Sequence, residues 1–258
     1  MPNKNNSIAH TDTSIHLFVN GFSFCTPSKT EFIPTPEGEE DFKSAWTELL
    51  SFYPKGTFDQ AQLISYHQPS TFVPAQFFDQ QLLPNYLRFL KKLESNAVLN
   101  FDEIKNHATV NVYALPKASL EIINSELSEN RLCHYNTLLY TEVKALSASA
   151  SKPYQLFIHL QQGAMDLYLT KESDIVFQNH FSIKNEDEFL YYVFFVVEQY
   201  KLNSDAYQIV FLGQIAHFER HYKAITQYHS SIRFEESESC SSLEIDQHPA
   251  PFFAQSYL

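Results

Sequence analysis

A few short stretches carry side chains whose type and spacing could do chemistry. His217 and His221 stand four apart on one face of an expected helix, with Glu219 between them. That spacing can seat a metal ion, but the order is not His-Glu-x-x-His and no third ligand is evident. Surface or capping histidines explain the pair better. Cys133-His134 offers a nucleophile beside a base, yet neighbours on a strand point to opposite faces. A small buried cysteine is the reading this pattern favours. Glu186-Asp187-Glu188 clusters carboxylates where a helix should begin, and the positive end of the helix dipole accounts for them. No Gly-x-Ser-x-Gly, Walker or dinucleotide-binding glycine pattern occurs. Two turns remain, Asn20-Gly21-Phe22-Ser23 and Gln161-Gln162-Gly163-Ala164. What they can do depends on the elements that hold them.

Composition bounds those elements. The 258 residues are 44% hydrophobic and 19% charged, and 23 Phe and 15 Tyr supply bulky core material. That length suits one large or two ordinary domains. The net charge is −12 and the 18 Lys and Arg are scattered. Nucleic acid and anionic membrane are therefore disfavoured as partners. Cys25, Cys133 and Cys240 are odd in number and far apart, which argues against a disulfide framework or zinc knuckle. Met1 to Ile15 lacks the apolar core of a signal peptide. The longest apolar run, Phe189 to Val197, is far short of the roughly 20 residues that span a bilayer. A cytoplasmic protein without membrane insertion is expected.

The pattern along the chain predicts a loose tail over 1–13, then strands at Ile15–Val19 and Phe22–Phe24 across Asn20-Gly21. A third strand covers Thr30–Ile33. Phe42, Trp46, Leu49 and Tyr53 mark a helix opened by Glu39-Glu40-Asp41. A strand at Ala61–Tyr66 follows, then a helix within Phe72–Leu93 that Pro84 kinks or splits. Val98–Ile104 reads as the strand leaving this first unit. Val110–Leu115 and Arg131–Tyr135 read as strands, and Ala118–Leu127 and Leu138–Leu146 as helices. Ser147–Ser151 is the best linker. Three strands then span Leu156–Phe181 around Gly163, followed by the apolar helix from Phe189 and the buried strand Ile209–Leu212. A helix at Ala216–Tyr228 and a strand at Ile232–Phe234 close the unit. The acidic, Ser-rich segment after Glu235 is expected to be mobile over 237–251, with Phe252, Phe253 and Tyr257 docking the end.

Three antiparallel strands, helix, strand, helix, strand therefore occur twice. Phe42 to Leu63 and Phe189 to Val210 both span 21 residues. The plan is α/β, two ribonuclease H-like domains in tandem with mixed five-stranded sheets and helices on both faces. The first domain covers 14–146, with an inserted subdomain near 98–146, and the second covers 153–236. Leu17 to Phe24, the Phe72-Val73-Pro74 turn and Val112 to Lys117 carry a more specific likeness. With them the chain resembles a bacterial family of uncharacterised proteins, domain of unknown function 3822, with an actin-like ATPase fold. Val112 to Leu146 is similar in pattern to pilus- and secretion-assembly proteins of the same superfamily. The resemblance implies a fold and brings no assigned activity.

Actin-like ATPases hold phosphates with two hairpin turns, each an Asp followed by Gly and small hydroxyl residues. By that standard both turns here are eroded. Asn20 is an amide, Phe22 is bulky, and the Gln161 turn has no carboxylate. The superfamily's adenosine-side Gly-Gly pair would fall at Leu212-Gly213-Gln214, where one Gly remains. Asn20, Gly21, Gly163 and Gly213 are thus remnants, and the chain has only five Gly. No cofactor, no metal and no catalytic residue is expected, ATP and magnesium included. A non-catalytic scaffold acting through protein contacts is the leading expectation, with the interdomain cleft and Val112–Leu146 as candidate surfaces. The alternative is a weak or divergent nucleotide-binding protein, ATPase- or kinase-like, using that cleft. A third, less favoured, is an enzyme using Cys133 or the His217/His221 pair.

Overall fold

The computed structural model describes residues 13–26, 29–36, 38–54, 57–58, 61–90, 93, 96–126, 131–149, 152–235 and 248–250. The expected tail (all but Thr13), most of segment 237–251, and Phe252, Phe253 and Tyr257 lie outside them. The chain divides into two compact units, 1–139 and 140–257.

In the first unit, β1 (Ser14–Phe18) and β2 (Gly21–Thr26) form an antiparallel hairpin in which Phe18 pairs with Gly21. The two-residue turn is thus Val19-Asn20, one residue earlier than the Asn20-Gly21 pair suggested. β3 (Lys29–Pro34) pairs with β2. The helix α1 (Glu39–Ser51) leads to β4 (Gln62–Ser65), which lies parallel to β1.

The chain then leaves the sheet. β5 (Ser70–Pro74), the short α2 (Leu83–Leu87), β6 (Ala97–Ile104) and β7 (Thr109–Pro116) build a separate antiparallel sheet in the order β5-β7-β6. It returns through α3 (Lys117–Glu126) to β8 (Arg131–His134), which pairs with β4. The first sheet therefore runs β3-β2-β1-β4-β8.

One expectation is sharpened here and one corrected. The helix expected within Phe72–Leu93 is present as the short Leu83–Leu87, with Pro84 in its first turn rather than at a kink or split, and Phe72 and Val73 are strand residues that pair with Asn111 and Val110. Pro84, tolerated in the first turn of that helix, keeps it from extending back towards β5. Val98–Ile104 is a strand, but in the inserted sheet. The insertion is 70–116, not 98–146, and Arg131–His134 is the strand that completes the unit.

The helix α4 (Tyr135–Ser147) follows without a break, and the units divide inside it, at Leu139/Tyr140. The expected linker at Ser147–Ser151 begins where α4 ends. The second unit comprises β9 (Tyr154–Gln161), β10 (Ala164–Lys171), β11 (Asp174–Ser182), α5 (Glu186–Gln199), β12 (Tyr207–Leu212), α6 (Glu219–Thr226) and β13 (Ile232–Glu235). Its sheet runs β11-β10-β9-β12-β13, the order of the first with every partner replaced by its counterpart.

One parity of each sheet faces the unit's two helices. Ile15, Leu17, Phe22, Phe24 and Leu63 pack with Phe42, Trp46 and Leu49 of α1 and Ile123 of α3. Leu156, Ile158, Leu160, Met165 and Leu167 pack with Phe189, Val193 and Val196 of α5 and Tyr222 and Ile225 of α6. Each such side chain contributes about 1.5–3 kcal/mol on burial.

The pairings also fix which residues correspond. The hairpins align Phe18 with Gln161, so Ile15 matches Ile158. Ile15 pairs with Leu63, and Ile158 with Phe211. Leu63 therefore matches Phe211, and the equal 21-residue spacing was off by one. Among the described residues, no helix is long and apolar enough to cross a membrane.

Candidate functional site

The first unit holds a groove of about 400 Å³. Its walls come from the β1–β2 tip (Phe18, Val19), the start of α1 (Gly38, Glu39, Phe42), the chain after β4 (His67, Gln68, Pro69) and the β7–α3 junction (Leu115, Pro116, Ser119). Val19 is 82% exposed, an apolar residue at a hairpin tip. Glu39 and His67 are the titratable groups among the lining residues. His67 is buried and held against Ser65 (Nδ1 to Oγ, 3.3 Å). Burial lowers its pKa to about 4, so it is neutral at pH 7. One carboxylate and one neutral imidazole on half-apolar walls suit binding better than bond-breaking.

The four expected remnants fall apart into separate structural tasks. The Asn20 carbonyl accepts the Thr35 N–H at 2.8 Å. A Cβ on Gly21 would stand 2.3 Å from the Ile33 carbonyl oxygen, so glycine is required by the approach of β3. Gly163 sits at φ +73 with open space around it, as a two-residue turn demands. Gly213, at φ 83, donates its N–H to the Glu235 carbonyl at 2.7 Å. Tyr222 donates its hydroxyl to the Gly213 carbonyl at 3.2 Å and accepts the Ile215 N–H at 3.1 Å.

The second unit contains a polar cluster that the sequence reading missed. On the sheet face away from α5 and α6, Asp166 of β10 pairs in register with His159 of β9 and His180 of β11. Asp166 Oδ2 meets His159 Nδ1 at 2.9 Å and accepts from Gln161 Nε2 at 2.7 Å. Its Oδ1 meets His180 Nδ1 at 2.8 Å. Asp166 and His159 are fully buried, and the His180 side chain is 25% exposed. Burial alone would raise the Asp166 carboxyl. The His180 charge and the two imidazole hydrogen bonds overcome it and hold the carboxyl well below the usual range. Burial lowers the His180 pKa, but the Asp166 charge outweighs it and the net shift is upward.

The remaining candidates resolve as follows. Gln62 Nε2 donates to Cys133 Sγ at 3.3 Å, and burial pushes the thiol well up, which opposes nucleophilic use. His134 Nδ1 accepts the Asn136 N–H at 3.1 Å, which leaves Nε2 to donate to the His67 carbonyl at 2.9 Å. Neither ring nitrogen is placed to serve Cys133. The neighbouring Asp102 accepts from the His134 N–H (2.8 Å), Thr137 Oγ1 (2.6 Å) and Tyr113 hydroxyl (2.9 Å). Burial raises its carboxyl against these three donors. The network ties the inserted sheet to the β8–α4 junction. His217 lies in a 3-10 turn and His221 in α6. No third ligand gathers with them among the described residues. His221 instead packs edge-on against Phe189. Asn185 caps α5 by accepting the Glu188 N–H, and Glu188 accepts the Lys184 N–H, both at 2.9 Å. The acidic trio thus does the helix-start task expected of it.

A family model described as protein of unknown function (DUF3822) matches residues 3–232. No curated protein matches the chain. The chain is similar to a solved protein of Bacteroides thetaiotaomicron with an actin-like ATPase fold and unknown function. They share 16% identity over 86% of this chain and 90% of that one, with a TM-score of 0.72. It is also similar to a chain of the PilM-PilN type IV pilus biogenesis complex, at 10% identity over 95% of this chain and 96% of that one, with a TM-score of 0.61. At these identities the likeness establishes the actin-like ATPase fold, two ribonuclease H-like units in tandem.

Proposed function

This chain belongs to the family described as protein of unknown function (DUF3822), and we propose that it is a non-catalytic actin-like scaffold working through protein contacts. The observation that carries this reading is the state of the two hairpin tips. They are Val19-Asn20 and Gln162-Gly163, without a carboxylate to manage magnesium. The nearest buried carboxylate in the second hairpin, Asp166, is engaged by His159, His180 and Gln161. Gly21 serves the close approach of β3. What remains is a concave, half-apolar groove in the first unit, suited to a segment of another protein. A neighbour of the same fold is known from a complex of two proteins, which agrees with this use.

Thermal unfolding with and without Mg-ATP tests the reading. A ligand at 100 times its Kd stabilises by about 2.7 kcal/mol, roughly 5–10 °C for a chain of this length. We expect no shift at millimolar Mg-ATP. A shift of that size would replace the scaffold with a divergent nucleotide-binding protein.

A further inference from the structure

The helix α5 buries one stripe and leaves another open. Phe189, Val193 and Val196 enter the core. Asp187, Leu190, Tyr191, Phe194, Phe195 and Glu198 recur at the helical spacing i, i+3, i+4, i+7, i+8, i+11. With Tyr228 they line a groove of about 370 Å³ in the second unit. Tyr191 is 63% exposed, Phe195 43% and Tyr228 66%. Ring contacts hold the surface in shape: Phe194 meets Tyr228 edge-on at 5.5 Å, and Tyr191 stacks on Phe195 at 6.1 Å. Contiguous exposed aromatics of this kind mark contact surfaces rather than ordinary helix exteriors.

The charges choose the occupant. Asp187 and Glu198 close the two ends of the stripe, about 16 Å apart at 1.5 Å per residue. They are the charged groups that line the groove, and both are acidic. Neither carboxylate has an ion-pair partner among the described residues. A second copy of the chain fits poorly. Antiparallel pairing of two such stripes sets Asp187 of one against Glu198 of the other, and each chain carries −12. We propose that this stripe docks an amphipathic helix of a partner protein, apolar on its contact face, with Lys or Arg at each end of the apolar run. The aromatic floor would bury its apolar side chains, and the two carboxylates would set its register. The proposal concerns α5 of the second unit and stands apart from the groove in the first. It survives or fails whatever the Mg-ATP experiment returns.

The test uses the full chain and a designed, fluorescein-labelled 18-residue helix with Leu at the matching positions and Lys at both ends. Its twin carries Glu in place of Lys. Fluorescence anisotropy at physiological salt should detect binding of the Lys peptide only. Replacing the exposed rings (Tyr191→Ser with Phe195→Ser) should weaken it at least about tenfold. Reversing both charges (Asp187→Lys with Glu198→Lys) should transfer binding to the Glu peptide, and circular dichroism confirms that both variants remain folded. Equal affinity for the two peptides, unchanged binding in the ring variant, or no binding at ~100 μM would overturn the proposal. So would a wild-type dimer in sedimentation that the ring variant converts to monomer, because the occupant would then be a second copy.

Discussion

The two hairpins start from one plan and end in different chemistry. His16 in β1 and His159 in β9 hold the same register position, two residues before the residue that flanks the turn. Opposite His16 stands Ser23, and beyond it Phe32. Opposite His159 stands Asp166, and beyond it His180. The first row meets its neighbours with an aromatic stack of His16 on Tyr66 at 5.6 Å and a hydrogen bond between His16 Nε2 and Ser14 Oγ at 3.0 Å. The second builds a buried carboxylate between two imidazoles. A duplicated sheet thus keeps its backbone while each copy fills the same positions by a different physical solution. Neither solution leaves a carboxylate free at a turn.

Substitutions at matched positions can break that comparison. A large contrast should come from Gly21 and its counterpart Ala164. Gly21→Ala sets a methyl against the Ile33 carbonyl and should cost about 3 kcal/mol or more in urea unfolding. Ala164→Gly should cost about 1 kcal/mol. Comparable losses would mean that the two turns are not held differently. Next, Asp166→Asn should cost about 3–5 kcal/mol, since it strips the charge from a buried pair. Ser23→Ala, at the matching place, should cost no more than about 1.5 kcal/mol.

A subtler contrast lies in pH. His180 has a raised folded pKa, so its stabilisation is complete below the unfolded value of about 6.5 and fades as pH rises through the folded one. His67, at about 4 in the folded chain, behaves oppositely: the unfolded chain takes up the proton first, and stability falls as pH drops from about 6.5 towards 4. The loss caused by His180→Gln should therefore grow from pH 8.5 to pH 5.5, while that caused by His67→Gln shrinks. Parallel profiles would contradict the assignment of opposite roles. Among the smallest effects, Gly163→Ala should cost about 1 kcal/mol in urea unfolding, for its left-handed φ alone.

Much of this was readable in the chain. Alternating apolar residues around Gly163 and the capped helix from Asn185 fixed the second unit almost strand for strand. The first unit was harder, because β5 finds its partner β7 nearly forty residues away and β8 is only four residues long. Local periodicity cannot report such non-local pairing. Half of the Asp166 cluster was also legible: a two-residue turn at Gln162-Gly163 places Asp166 opposite His159. The other half was not. A regular hairpin from the Glu172-Ser173 turn would set Asn179 against Asp166. The irregularity between Leu169 and Thr170 shifts the register by one and brings His180 there instead.

Hydrogen exchange at the two tips, with and without millimolar Mg-ATP, tests the central claim most directly. If the tips serve structure alone, the amides of Val19 to Phe22 and of Gln162 to Ala164 exchange at the same rates in both conditions. Slower exchange at both tips on adding Mg-ATP would contradict this, because it would place a phosphate where the side chains argue against one.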